Sequence, residues 1–150
     1  MKIISAIAAV ATALFAYTAV ADLEPWKDYE VSEAVWTVTT VRVDSNMGDA
    51  YLEGIKNTWV KGNEFAKELG QIEDYHIYRS DLPNSGDFNL LLVVKFASGK
   101  DLEPNKKNYE ALIKKWGQKN SDAATDFAQE NYPAMRKITG QYRMREITLK

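Results

Sequence analysis

The chain has 150 residues, no cysteine, one histidine, and 19 basic against 21 acidic side chains, a formal charge of −2. Without cysteine there are no disulfides, no thiolate nucleophile and no cysteine-ligated zinc or iron–sulfur cluster. The charges are mildly acidic on balance and interspersed, so the concentrated basic face that nucleic acid requires is missing, and nucleic acid is not an expected partner.

The chain opens MKIISAIAAVATALFAYTAVADLEP. Lys2 is a short positive start, Ile3 to Val20 carries no charge, and Ala19-Val20-Ala21 is a small-x-small cleavage signal. Residues 1–21 are therefore expected to be a secretory signal peptide, cut after Ala21, in a protein that works in the periplasm or outside the cell. The apolar run is about long enough to span a bilayer, at ~18 residues. It is alanine-rich, however, and ends on the cleavage site, so no stable membrane insertion is expected after cleavage. A lipoprotein anchor would need a cysteine at that point. Residues 22–150 then suit a single domain whose core needs no staples.

Residues 22–33 read as a polar N-terminal arm, and residues 34–150 as the domain. Val35 to Val43 is rich in β-branched residues and predicts a strand, with Val35, Thr37, Thr39, Val41 and Val43 on one face. Asp44-Ser45-Asn46 closes it and is expected to cap the next helix. Gly48 to Leu69 is helical by its stripe of Leu52, Ile55, Trp59, Ala66 and Leu69, with Tyr51 and Phe65 flanking, and Gly70 stops it. Ile72 to Ser80 and Phe88 to Phe96 are strands around a loop at 81–87, a hairpin. Lys106 to Trp116 is helical, with Tyr109, Leu112, Ile113 and Trp116 on one side. A further helical pattern runs from Asp122 to Ile138, kinked or broken at Pro133 and stopped at Gly140. Gln141 to Leu149 alternates as a last strand.

The order β-α-β-β-α-β is that of an α+β, ferredoxin-like split βαβ, with helices on one face of a four-stranded antiparallel sheet. The other face would be left open with large apolar residues on it, which is unusual on a monomer. A second copy packed sheet to sheet would cover it, so a homodimer of the dimeric α/β-barrel kind is expected.

Four stretches, YLEGIKNTW (Tyr51 to Trp59), LGQIEDYHIY (Leu69 to Tyr78), NLLLVVKF (Asn89 to Phe96) and REITLK (Arg145 to Lys150), give the chain a resemblance. It resembles uncharacterised secreted bacterial proteins of the dimeric α/β-barrel superfamily. The resemblance covers most of residues 22–150 and implies the fold. That superfamily includes cofactor-free monooxygenases, haem enzymes, stress-response proteins and members without known activity, so the resemblance leaves function open.

His76 is the candidate catalytic residue, as a general base or a ligand, because Asp74 and Tyr78 share its face of the strand. The competing reading is a partly exposed histidine on an edge strand. Asp44, Ser45, Asn46 and Asp49 lack calcium-loop spacing, and no phosphate loop or nucleophile elbow is present. No metal and no cofactor is expected. Trp26, Trp36, Trp59 and Trp116, with eight tyrosines, could line an aromatic pocket or simply fill the core. Trp59, Asp74, His76 and Tyr78 are the candidate ligand-binding residues.

Three functions are expected, in this order. The first is a homodimer binding a small apolar or aromatic molecule without turnover. The second is an interaction protein presenting loops such as 81–87 to a protein partner. The third is a cofactor-free monooxygenase-like or isomerase-like enzyme using Trp59, His76 and Tyr78. N-terminal sequencing of protein recovered from a secreting host is expected to begin at Asp22; an intact Met1 start would remove the leader.

Overall fold

The computed structural model describes residues 22–82 and 86–150; the leader read over 1–21 and the middle of the 81–87 loop lie outside them. The elements are β1 (Tyr29–Val31), β2 (Val35–Val43), α1 (Gly48–Ile55), a π-helical turn (Lys56–Val60), α2 (Lys61–Glu68), β3 (Asp74–Arg79), β4 (Leu90–Phe96), α3 (Lys106–Trp116), α4 (Gln118–Asn131), β5 (Arg136–Met144) and β6 (Ile147–Leu149). Short 3-10 turns at Gly99–Leu102 and Tyr132–Ala134 precede α3 and β5. Among the described residues no helix is long and apolar enough to cross a membrane.

The main sheet runs β3-β4-β2-β5, every pair antiparallel. With the arm and the last strand set aside, this is the β-α-β-β-α-β ferredoxin-like order, an α+β fold. The period of two along a strand then sorts the side chains. Val35, Thr37, Thr39 and Val41 lie opposite Phe96, Val94, Leu92 and Leu90. Tyr75 and Ile77 lie opposite Val94 and Leu92 on the same face. The core is built there: Val41, Val43, Leu90 and Leu92 from the sheet meet Tyr51, Ile55 and Tyr132 from the helix layer. Val35, Val41, Tyr51 and Ile55 are wholly enclosed. Each such apolar side chain stabilises the fold by roughly 1.5–3 kcal/mol relative to an exposed one.

Several boundaries differ from the sequence reading. The long first helix carries a π turn, whose extra residue rotates the remainder of the helix by about 100°. Tyr51, expected to flank the stripe, is deep in the core, while Leu69, beyond the turn, is exposed. Met47, not the Asp44–Asn46 segment, is the N-cap of α1, without a side-chain cap. Asn46 instead takes a left-handed conformation in a tight turn closed by Met47 N–H donating to Asp44 carbonyl oxygen at 3.1 Å. Tyr109 points to solvent rather than inward.

The helix read to Ile138 ends at Asn131, and β5 has begun by Arg136. Pro133 does break the helix, but Ile138 is already opposite Val41 in the sheet. Gly140 is not a helix stop. It lies at a bulge where β5 gains a residue against Thr40 and Val41, and a Cβ there would sit 2.7 Å from Tyr142 Oη. The last strand is also split: β5 stops at Met144 and β6 pairs with β1, Tyr29 opposite Leu149 and Val31 opposite Ile147. The arm is thereby tied to the chain end. Arg145 Nη1 holds it further, donating to the carbonyls of Ser32 and Glu33 at 2.8 Å each.

The helix layer meets itself through glycines. A Cβ on Gly54 would sit 3.0 Å from carbons of the Phe127 and Tyr132 rings, and one on Gly62 would sit 3.1 Å from Trp116. Gly54→Ala gains about 1 kcal/mol of helix propensity but forces overpacking that costs about 1–3 kcal/mol. Its urea midpoint is expected to fall below wild type; an unchanged midpoint would mean that α4 yields freely.

Candidate functional site

The candidate residues fall on opposite sides of the sheet. Asp74, His76 and Tyr78 lie opposite Lys95, Val93 and Leu91, and these lie opposite Trp36, Val38 and Thr40. Met144, Tyr142 and Gly140 continue the row on β5. This is the face away from the core. Trp59 is on the other side, packed on the core with its ring edge-on to Tyr75 at 5.6 Å. The structure therefore brings Asp74, His76 and Tyr78 together and separates Trp59 from them.

The geometry around His76 is open. Nε2 lies 3.5 Å from Asp74 Oδ2, and the ring centroid is 5.9 Å from that of Tyr78. Asp74 is engaged elsewhere: its Oδ1 accepts from Lys67 Nζ at 2.8 Å and from the Tyr75 amide at 2.9 Å. The Lys67 bond, then the Tyr75 amide, hold this carboxyl below its ordinary value. A carboxylate already satisfied by a lysine has little left with which to orient an imidazole. The His76 side chain is 50% exposed. Among the described residues its charged neighbour is Asp74, which is held chiefly by Lys67.

On the core side the π turn builds a different arrangement. It carries Thr58 and Trp59 toward the chain entering β5. The buried Thr58 hydroxyl donates to Gly54 carbonyl oxygen at 3.0 Å and makes a short contact with Tyr132 Oη. Tyr132 stacks edge-on to Tyr51 at 5.3 Å and to Phe127 at 5.8 Å. Arg136, the first residue of β5, lies over both tyrosines, its Cζ 5.3 Å from the Tyr132 ring centroid and 5.9 Å from that of Tyr51. Its Nε is buried without a hydrogen-bond partner. Burial raises the hydroxyl of Tyr51, opposed by Arg136; burial raises that of Tyr132, opposed by the Thr58 hydrogen bond and by Arg136.

Two cavities open between the π turn and α4, sharing Thr58, Trp116 and Ala124. One, of about 730 Å³, runs past Gly54, Lys61, Phe65 and Phe127. The other, of about 550 Å³, runs past Trp59, Gly62, Ala128, Tyr132 and Arg136. Both reach the volume of small-molecule sites but are widely open to solvent, the second a shallow hollow. They exist because α4 buries no residue fully and presents Ala123, Ala124 and Ala128 to a helix that offers Gly54 and Gly62. Trp59 belongs to this cleft. Tyr132 and Arg136 were not among the sequence candidates; the one local signal was Pro133, which marks the break that aims them inward. A third cavity of about 510 Å³ at the β2–α1 end is polar, lined by Arg42, Asp44, Asp49, Arg79 and Asn89. Among the described residues no cluster of acidic or histidine side chains could hold a metal ion.

The strand order and the one-sided helix layer place the chain in the ferredoxin-like α+β class. Solved structures to which it is similar include a NIPSNAP family protein of unknown function from Agrobacterium tumefaciens str. C58, at 13% identity over 82% of this chain and 95% of that one, TM-score 0.45. HapK from Hahella chejuensis is similar at 11% identity over 75% and 91%, TM-score 0.44. A dimeric ferredoxin-like protein of unknown function from Thermobifida fusca YX is similar at 7% identity over 77% and 91%, TM-score 0.38. No protein-family model and no curated protein matches the chain.

The two tyrosines make a pH prediction. Both are raised from 10.0 in the folded state. Folded and unfolded forms are both protonated below that value, so the full stability is present there. Above it the unfolded chain ionises first, and stability is lost as pH rises through the folded values. Tyr51→Phe and Tyr132→Phe are each expected to flatten the fall in urea midpoint between about pH 9 and 11 relative to wild type.

Proposed function

We propose that the secreted chain is a homodimer that binds a small apolar or aromatic molecule without chemical turnover, in the periplasm or outside the cell. The observation that carries the dimer is the uncovered face of the main sheet. Its centre is the half-buried Val38 and Leu91 beside Val93, which the chain already buries, and its margin is Trp36, Tyr78, Tyr142 and Met144, the last three each more than half exposed. An apolar centre with an aromatic, partly polar rim has the anatomy of an interface.

A second copy is the occupant that the charges favour. Asp74 and Lys95 are the acid and the lysine of these paired rows, and each is already neutralised within the chain, Asp74 by Lys67 and Lys95 by Glu73 at 2.7 Å. Lys95 also lies 5.3 Å over the Trp36 ring. Neutralised in this way, Asp74 and Lys95 can meet their own copies across a twofold axis without like-charge conflict. The β1–β6 ribbon leaves from the same end of the sheet with Ile147 and Leu149 exposed, and would extend the contact.

The cleft beside α4 supports the small-molecule part of this reading, and the exposed, unpositioned His76 supports binding over catalysis. Native mass spectrometry of the protein purified gently from secreting cells is expected to give twice the chain mass plus a discrete extra mass. Tyr142→Glu, at an exposed position that leaves the core untouched, is expected to give monomer. A wild-type monomer at tens of micromolar would overturn the dimer.

A further inference from the structure

Among the described residues, Arg136 is the only charged one lining the cavity formed by Trp59, Gly62, Trp116, Ala124, Tyr132 and their neighbours, and no acidic side chain lines it. Among the described residues no carboxylate pairs with this guanidinium; its partners are Tyr51 and Tyr132, whose rings lie beside it. Ring faces offset part of the cost of taking a cation out of water. Neutral tyrosines do not balance its charge, and Nε is left buried with its bond unmade. Arg136 as a whole is half-buried, with Nε its enclosed atom, and a partly buried charge without an acid is normally avoided. Here the surroundings hold it in place: Tyr132 is fixed by Thr58 and by Phe127, and Thr58 is delivered by the π turn. Such turns interrupt α-helices frequently at functional sites.

We propose that this cleft binds a planar aromatic carboxylate, with its ring between the indole-bearing walls and its carboxylate on Arg136. The open space lies over the short side chains of Ala124 and Ala128, beside Trp59 and Trp116, and Gly62 lets the Trp116 ring pack within 3.1 Å of where a Cβ would stand, which sets that wall. A carboxylate is planar like the guanidinium and accepts two parallel bonds from it, so with a side-chain shift it satisfies Nε together with a terminal nitrogen. The nearby Asn63, Thr125 and Gln129 are neutral and leave the charge of the arginine unbalanced. The inference rests on the reading of the chain as a small-molecule binder, and gives that reading a place and a chemical class.

The test uses 1-naphthoate and its neutral counterpart 1-naphthamide, titrated by calorimetry into the protein processed at Ala21. Naphthoate is expected to bind once per chain and to shift the indole N–H signals of both Trp59 and Trp116 in a nitrogen-correlated spectrum. Ala124→Leu, which fills the cleft, is expected to abolish binding of both probes. Arg136→Gln is expected to weaken naphthoate about tenfold or more, the loss of a hydrogen bond to a charged group, and to leave naphthamide unchanged. Arg136→Lys, which keeps the charge and loses the fork, should fall between. Equal affinity for the two probes, unmoved indole signals, or naphthoate binding unaffected by Ala124→Leu would each overturn the proposal. A discrete extra mass in the native spectrum alongside any of those results would leave the broader binding reading standing, so the two failures are distinguishable.

Discussion

β2 is hydrogen-bonded on both flanks, to β4 and to β5, and the alternation along it determines what each face of the sheet is made of. Val41 and Val43 commit one face to the helices; Trp36, Val38 and Thr40 commit the other to whatever lies outside them. Because side chains alternate strictly, these two commitments cannot be changed separately. The inner face has a complete core with Tyr51, Ile55 and Tyr132. The outer face has no helix over it, and its apolar rows are what the proposed second copy would cover.

The bulge at Thr40 and Val41 shows the same constraint at close range. Thr40 is buried on the outer face, and its hydroxyl is satisfied by Thr139 Oγ1 at 2.9 Å and by Gly140 carbonyl oxygen at 3.3 Å. The added residue in β5 shifts the phase of that strand, so that Arg136 and Ile138 on one side of the bulge and Tyr142 and Met144 on the other face in opposite senses. One irregularity thus sends Arg136 inward to the tyrosines and keeps Tyr142 on the uncovered face. The helix layer is looser than the sheet: α3 and α4 bury no residue fully, and their small side chains leave the cleft open. A cavity costs contact energy wherever it is placed, and here that cost falls on the helix layer rather than on the sheet.

Local pattern was enough for much of the fold. Val35–Val43 and Lys106–Trp116 begin and end where their residues predict, because a β-branched run and an amphipathic turn after Asn105 each carry their own signal. The face shared by Asp74, His76 and Tyr78 was legible for the same reason, since a period of two needs no knowledge of neighbours. The stretch from Arg136 to Gly140 was not. Its helical spacing continues past Pro133, and only pairing with β2 draws it into the sheet.

By itself, then, the sequence determined the class of fold, the order of the elements of the main sheet and its helices, and the exclusion of cysteine chemistry. These depend on composition and on spacings of a few residues, where the period of a strand or helix is written directly into the chain. The tertiary structure alone decided that Trp59 and His76 lie on opposite sides of the sheet, that β6 closes on β1 rather than extending β5, and that Thr58, Tyr132 and Arg136 meet. The Thr58–Tyr132 contact joins residues 74 positions apart. No local propensity encodes such a meeting, because it depends on which faces remain to be buried once the strands have paired.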